Sequence, residues 1–248
     1  VSFAFAAAVF VPGLAVGSFL NVVASRLPRG ISIVWPRSAC PQCEGEIRPY
    51  DNVPVLSWLV LRGRCRDCQA PISWRYPAVE LGTAALIAAC AADFGLSLHT
   101  LAAVVFCVAL MVISAIDIER RIVPNKIVLP AAVVVLALQE AWKPGLEWPI
   151  AGLGGALFLF VAALAYPAGM GMGDVKLMLL LGVMVGSAVP FALLLGMVCA
   201  LVPSAVLFAR HGAAARKMAI PFAPFLALGG IVALFAGPAV VHWYLQRV

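Results

Sequence analysis

The stretch "LMLLLGVMVGSAVPFALLLGMVCALVPSAVLFA", residues 177–209, decides how this chain is threaded. As one helix it would extend about 50 Å at roughly 1.5 Å per residue, well beyond the roughly 30 Å hydrocarbon core of a bilayer. Gly186, Ser187 and Pro190 supply turn chemistry near its middle. The reading is therefore two short spans, 175–188 and 190–209. Outward from it, apolar runs between polar breaks give six more: 2–24, 78–95, 98–116, 127–142, 148–168 and 220–243. The expected fold is an all-α polytopic membrane protein with about eight transmembrane helices.

Composition agrees. Of 248 residues, 64% are hydrophobic and 11% charged, and mean hydropathy is +1.04. A soluble domain is nearer half apolar and a quarter charged. The pI of about 9.1 would point to nucleic acid if the basic residues formed a patch on a folded surface. They lie instead in loops between apolar spans, so the bilayer is the expected partner and nucleic acid is not.

Lys and Arg set the orientation. Loop 25–77 carries Arg26, Arg29, Arg37, Arg48, Arg62, Arg64, Arg66 and Arg75. Arg120, Arg121 and Lys126 follow the third span, Lys176 flanks the sixth, and Arg210, Arg216 and Lys217 follow the seventh. With eight spans all of these fall on one side, the cytoplasm, and only Lys143 and Arg247 of the 17 basic residues stay outside. A single span over 177–209 would break that pattern. Trp142, Trp148, Trp243 and Tyr244 fall at the outer ends, where interfacial aromatics belong. The first stretch, "VSFAFAAAVFVPGLAVGSFLNVV", has Arg26 after it and no basic residue before it, the reverse of a secretory signal peptide. It is expected to be a retained span.

Residues 26–77 are the one sizeable non-membrane segment. They contain "CPQC" and "CRDC", so Cys40, Cys43, Cys65 and Cys68 follow the pattern C-x2-C-x21-C-x2-C. Two such knuckles can offer four thiolates to one tetrahedral zinc. Two disulfides are the alternative, disfavoured on a reducing cytoplasmic side. Four thiolates leave no open position for water, so the ion would be structural, and its binding would drive the folding of a segment this short. Cys90, Cys107 and Cys199 lie within apolar spans and read as packing residues.

Two acids mark the same membrane edge. Asp117, in "SAIDIERRIVPNKIVLP", ends the third span, and Asp174, in "GMGDVK", starts the sixth. If those helices pack together, the two carboxylates share a partly desolvated site and titrate as a pair. An ionised acid beside a protonated one suits amide hydrolysis: one draws a proton from water while the other polarises the carbonyl. Gly171 and Gly173 would let a peptide backbone approach Asp174. Simpler roles stay open. Asp174 alone fits a helix N-cap, and Asp117 fits an ion pair with Arg120 or Arg121. Glu119, two positions from Asp117, points to a different helix face. Glu80 in "RYPAVEL" is a structural ion-pair partner or a substrate-binding group, with structure favoured. Ser18 and Asn21 read as interhelical packing or hydrogen-bonding residues, and "IPFAPFLALGG" as a helix entry.

These motifs in this order resemble the bifunctional type IV prepilin peptidases, also called prepilin leader peptidases/N-methyltransferases, which are aspartic proteases of the GxGD kind. The resemblance runs through "GSFLNVVASRLP", the cysteine segment to "WRYPAVE", "DIERRIVPNKIVLP", "GMGDVKLMLLLG" and "IPFAPFLALGG". It implies that Asp117 and Asp174 are the catalytic pair and that Cys40, Cys43, Cys65 and Cys68 bind zinc. It implies removal of a basic leader after a glycine from type IV prepilins or type II secretion pseudopilins. The new N-terminal residue, usually Phe, is then methylated with S-adenosylmethionine, in the bacterial inner membrane. The implied parts are a first transmembrane helix (1–25), a cytoplasmic zinc-binding domain linked to methyl transfer (26–77) and a seven-helix peptidase domain (78–248). No Gly-x-Gly-x-x-Gly loop or Rossmann-like alternation marks a cofactor cradle, so no residue is assigned to S-adenosylmethionine.

Two readings from other classes compete. A small carrier would want its acids near the bilayer midplane and an internal repeat, and the sequence offers neither. A non-enzymatic assembly factor would use the cysteine segment to dock partners and would not need the two aspartates.

Overall fold

The structure, a computed structural model, describes residues 3–166, 171–212 and 220–247. Arg216 and Lys217, used above to orient the last loop, lie outside the described residues. Nine α-helices are present among the described residues: α1 (Phe3–Arg26), the short α2 (Leu56–Val60), α3 (Arg75–Phe94), α4 (Leu98–Arg120), α5 (Asn125–Trp142), α6 (Glu147–Ala165), α7 (Met172–Val185), α8 (Val189–His211) and α9 (Ala223–Leu245). Two isolated bridges, Ala39 with Glu46 and Arg64 with Pro71, are the only extended pairing among them.

The chain forms two compact units, Val1–Leu96 and Ser97–Val248. In the first, α1 and α3 pack antiparallel through small residues. A Cβ on Gly13 would come 2.8 Å from Ala84 Cα, and one on Gly17 would come 2.6 Å from Glu80 Cα. Gly13 and Gly17 are one helical turn apart, the spacing that lets two membrane helices bring their backbones together. A turn further on, Asn21 Nδ2 donates to the Tyr76 carbonyl at 3.1 Å, the interhelical bond expected of it. Because α3 buries its face on α1, packing divides the chain at 96/97. The boundary drawn at 77/78 from sequence follows the end of the polar segment, and packing instead keeps α3 with α1. Gly17→Val is accordingly expected to force α1 off α3, and overpacking of this kind typically costs about 1–3 kcal/mol. Thermal denaturation in detergent measures it.

In the second unit α4 starts at Ser97, whose hydroxyl accepts the Thr100 amide at 3.1 Å. It ends at Arg121, in left-handed conformation with φ 55°, whose amide closes on the Asp117 carbonyl. The helix outruns the apolar span 98–116 because backbone hydrogen bonding continues through "IDIER" after hydropathy has fallen. Gln139, fully buried on α5, donates to the Met184 carbonyl of α7 at 3.2 Å and pairs with His99 of α4 at 2.8 Å. Trp148, expected as an interfacial aromatic, is buried. Its indole donates to the Lys143 carbonyl, and its ring lies against Gly186.

By length and composition seven helical stretches among the described residues can cross a membrane, one of them the 40-residue run Met172–His211. That run is not straight. Gly186, at φ 55°, opens a 3-10 turn over Gly186–Ala188. Along α9, Gly230 meets Leu181 and Gly237 meets Ala188, while Gly196 meets Phe225 and Leu226. So α7 runs parallel to α9 and α8 returns antiparallel to it. The chain reverses where Gly186, Ser187 and Pro190 indicated, and the segment contributes two helices.

Candidate active site

Asp117 and Asp174 both belong to the second unit, and the fold brings their helix ends together. Asp117 sits in the last turn of α4 and is 6% exposed. Its Oδ2 accepts the Ala223 amide at 3.2 Å. Ala223 is the first residue of α9, and the first amides of a helix have no partner within it. The Pro-rich entry "IPFAP" thus starts a helix as expected, and it also aims a backbone donor at the acid. Sequence reading missed that contact. Its only signal was a Pro-flanked helix start, which guarantees an unpaired amide but not its partner. Arg121 is close enough to act on Asp117 electrostatically, but the carboxylate bonds the Ala223 amide rather than an arginine. Glu119 is exposed on another face, as its spacing requires.

Asp174 is the third residue of α7, and Gly171 is the N-cap, which corrects the N-cap alternative for Asp174. The Asp174 amide donates to the Gly171 carbonyl at 3.1 Å, which closes the first turn of the helix. Among the described residues the nearest atoms to a Cβ on Gly171 are Asp174 Oδ2 and the Gly173 nitrogen, both at 3.9 Å. Gly173 is not open, since a Cβ there would lie 2.9 Å from Val123 Cβ. Of the two glycines expected to admit a peptide, Gly173 instead packs the start of α7 on the segment following α4. Beside it, Lys176 Nζ donates to Asn125 Oδ1 at 2.9 Å. These contacts set Asp174 within electrostatic range of Asp117.

Gly173→Ala should therefore push the start of α7 away from Val123 and slow any reaction that needs both acids. Adding Val123→Ala removes the opposing carbon and should restore most of the rate. Steady-state kinetics of the two variants separates this steric effect from a loss of chain flexibility, which the second change would not repair.

The four cysteines of the first unit converge without forming disulfides. Their sulfur atoms all lie within 4.8 Å of one another, with Cys40 Sγ and Cys68 Sγ at 3.8 Å. A tetrahedral site with Zn–S bonds near 2.3 Å requires sulfurs about 3.8 Å apart, so the set fits such an ion. Both knuckles fold alike. Cys40 donates to the Gly45 carbonyl and accepts from Glu44, and Cys65 donates to the Ala70 carbonyl and accepts from Gln69. Glu44 and Gln69 both take positive φ, 58° and 59°. The underlying repeat, "CPQCEGEI" and "CRDCQAPI", was legible in the sequence and was passed over. Backbone amides of Cys43 and Gln42 lower the Cys40 thiol to about 7, while hydrogen bonds shared among the neighbouring thiols push Cys43 up to about 12 and burial pushes Cys68 up, so without a cation one thiol ionises at the expense of the others. Arg66 clasps Asp51 at 2.6 and 2.8 Å and ties the second knuckle to the segment after the first.

Glu80 is 7% exposed on α3. Its Oε2 accepts the Val55 amide at 2.7 Å. The expected ion pair is replaced by this backbone bond, and no salt bridge to Glu80 is present among the described residues.

Residues 11–94 match the model of the bacterial peptidase A24 N-terminal domain, and residues 104–205 match that of the type IV leader peptidase family. A protein of Bacillus subtilis named prepilin leader peptidase/N-methyltransferase is 37% identical over 247 residues, covering 96% of each chain. Proteins of the same name from Aeromonas hydrophila and Pseudomonas aeruginosa are 36% and 33% identical. They cover 96% and 94% of this chain, and 93% and 91% of their own lengths is matched. The chain belongs to the type IV leader peptidase family. No solved structure matches it.

Proposed function

We infer that this membrane enzyme removes the basic leader of type IV prepilins or type II secretion pseudopilins and then methylates the exposed amine, usually that of Phe. The carrying observation is that the fold brings two acids far apart in sequence within electrostatic range of each other at one end of one helical unit, with Asp117 accepting the Ala223 amide. The names of its relatives support both activities.

In the proposed cleavage Asp117 and Asp174 share one proton. The ionised carboxylate takes a proton from water as the water oxygen attacks the scissile carbonyl carbon. The protonated partner polarises the carbonyl oxygen and then protonates the leaving amine, so the leader departs with a new carboxylate and the mature chain keeps a free amine. Gly171 is where the substrate backbone would pass. A prepilin, with a basic leader before a long apolar helix, presents this bond at a membrane boundary. The loop charges support a cytoplasmic boundary in the bacterial inner membrane.

Cys40, Cys43, Cys65 and Cys68 would hold zinc, which with four thiolates supplies structure rather than an open Lewis-acid position. The methyl donor is taken to be S-adenosylmethionine, and no residue is assigned to it. Mass spectrometry of a prepilin incubated with the purified protein, with and without S-adenosylmethionine, tests the whole reading. Expected are loss of the leader in both samples and one added methyl only with the donor. An intact prepilin in both would overturn it.

A further inference from the structure

The short helix α2 uses two of its sides differently. Trp58 donates its indole N–H to the Ile72 carbonyl at 3.1 Å. Ser57 Oγ accepts the Val53 amide and donates to the Tyr50 carbonyl, each at 3.0 Å. Those side chains hold α2 on the cysteine segment. Leu56, Leu59 and Val60, at i, i+3 and i+4, face away from it and are 61%, 58% and 75% exposed. Three large aliphatic side chains on one turn, facing outward, are costly in water.

The depth of this turn is set by Glu80. Val55, immediately before α2, takes φ 61°, a conformation rare for a β-branched residue. Its amide is held there by the Glu80 carboxylate. Glu80 is not on the rim: it lies in the second turn of α3, level with Gly17 of α1. Since α3 has 20 residues, it needs its whole length, about 30 Å at 1.5 Å per residue, to cross a hydrocarbon core. Glu80 is then about 8 Å inside the Arg75 end of that span. A backbone bonded to its carboxylate is held within one side-chain length of that depth, at the boundary of acyl chains and headgroups. Trp74 and Tyr76, exposed at the entry of α3, mark the headgroup level. Exposed Arg62 and Arg64 directly follow α2, where they would meet anionic headgroups.

We propose that Val53–Val60 is a lipid-immersed element: it dips into the leaflet beside α3, presents Leu56, Leu59 and Val60 to acyl chains, and is held at that depth by the Glu80–Val55 bond. The occupant of this face is phospholipid. The cysteine segment is thereby moored to the bilayer by its own side chains as well as by the helices that flank it.

The test uses the full chain in vesicles of phosphatidylcholine and phosphatidylglycerol carrying a phospholipid with a photoreactive group within the acyl chain. Adducts are mapped by mass spectrometry, with Leu81 on the exposed face of α3 as the internal standard. Expected are adducts at Leu56, Leu59 or Val60 at a yield comparable with Leu81, and a several-fold loss of them in Val60→Glu while Leu81 is unchanged. Adducts at Leu81 with none in 53–60 would overturn the proposal. So would cross-linking of 53–60 to another protein chain in place of lipid. Because the unsubstituted protein carries the primary result, a variant that fails to fold does not remove the test.

Discussion

Asn in place of either Asp117 or Asp174 removes leader cleavage while the protein still inserts and folds. Each change deletes one half of the proposed proton-sharing pair, and positioned acid–base groups contribute roughly 10²–10⁴-fold to rate. Residues that act as a unit are non-additive, so the double variant should be little slower than the worse single one. Multiplying losses would indicate two independent sites. Asp117→Asn should also leave α9 in place, because an amide oxygen can still accept the Ala223 N–H. Its melting temperature should therefore stay near that of the parent, and cleavage by that variant at the parent rate would exclude the dyad.

The second large effect is expected at the cysteines. Cys65→Ser, or prolonged chelation, should release the proposed zinc and loosen residues 26–77 while the packing of the second unit persists. Structural zinc contributes about 10–16 kcal/mol to the folding of zinc-finger peptides, far more than this short segment gains from the single Asp51–Arg66 pair. Hydrogen exchange should rise across both knuckles, at the amides of Cys40, Glu44, Cys65 and Gln69 that their turns protect. Methyl transfer should fall with it, and cleavage by Asp117 and Asp174 should persist. Elemental analysis finding no metal in the parent protein would remove the basis for this expectation.

Which parts of this structure were readable beforehand follows from range. Helices were legible because apolar runs and turn residues are local, down to the reversal at Gly186. The ends of α4 and α7 were not, because hydropathy reports depth in a bilayer whereas a helix continues for as long as its amides find carbonyls. Cys40, Cys43, Cys65 and Cys68 were legible because spacing alone implies a shared ligand. The meeting of Asp117 and Asp174 was an inference from depth and resemblance. What brings them together, Gly173 on Val123, Lys176 on Asn125 and Ala223 on Asp117, depends on side chains from segments that no local pattern links. Gly173 shows the limit well: a glycine next to an acid reads as room for substrate, and its space is filled by Val123.

The most direct check on a single centre built from both acids is chemical cross-linking. Asp117→Cys paired with Asp174→Cys, treated in membranes with a short bifunctional thiol reagent and mapped by mass spectrometry, should join α4 to α7 as efficiently as Asp117→Cys paired with Ala223→Cys joins α4 to α9. A strong 117–223 bridge with no 117–174 bridge, with or without a prepilin present, would contradict it.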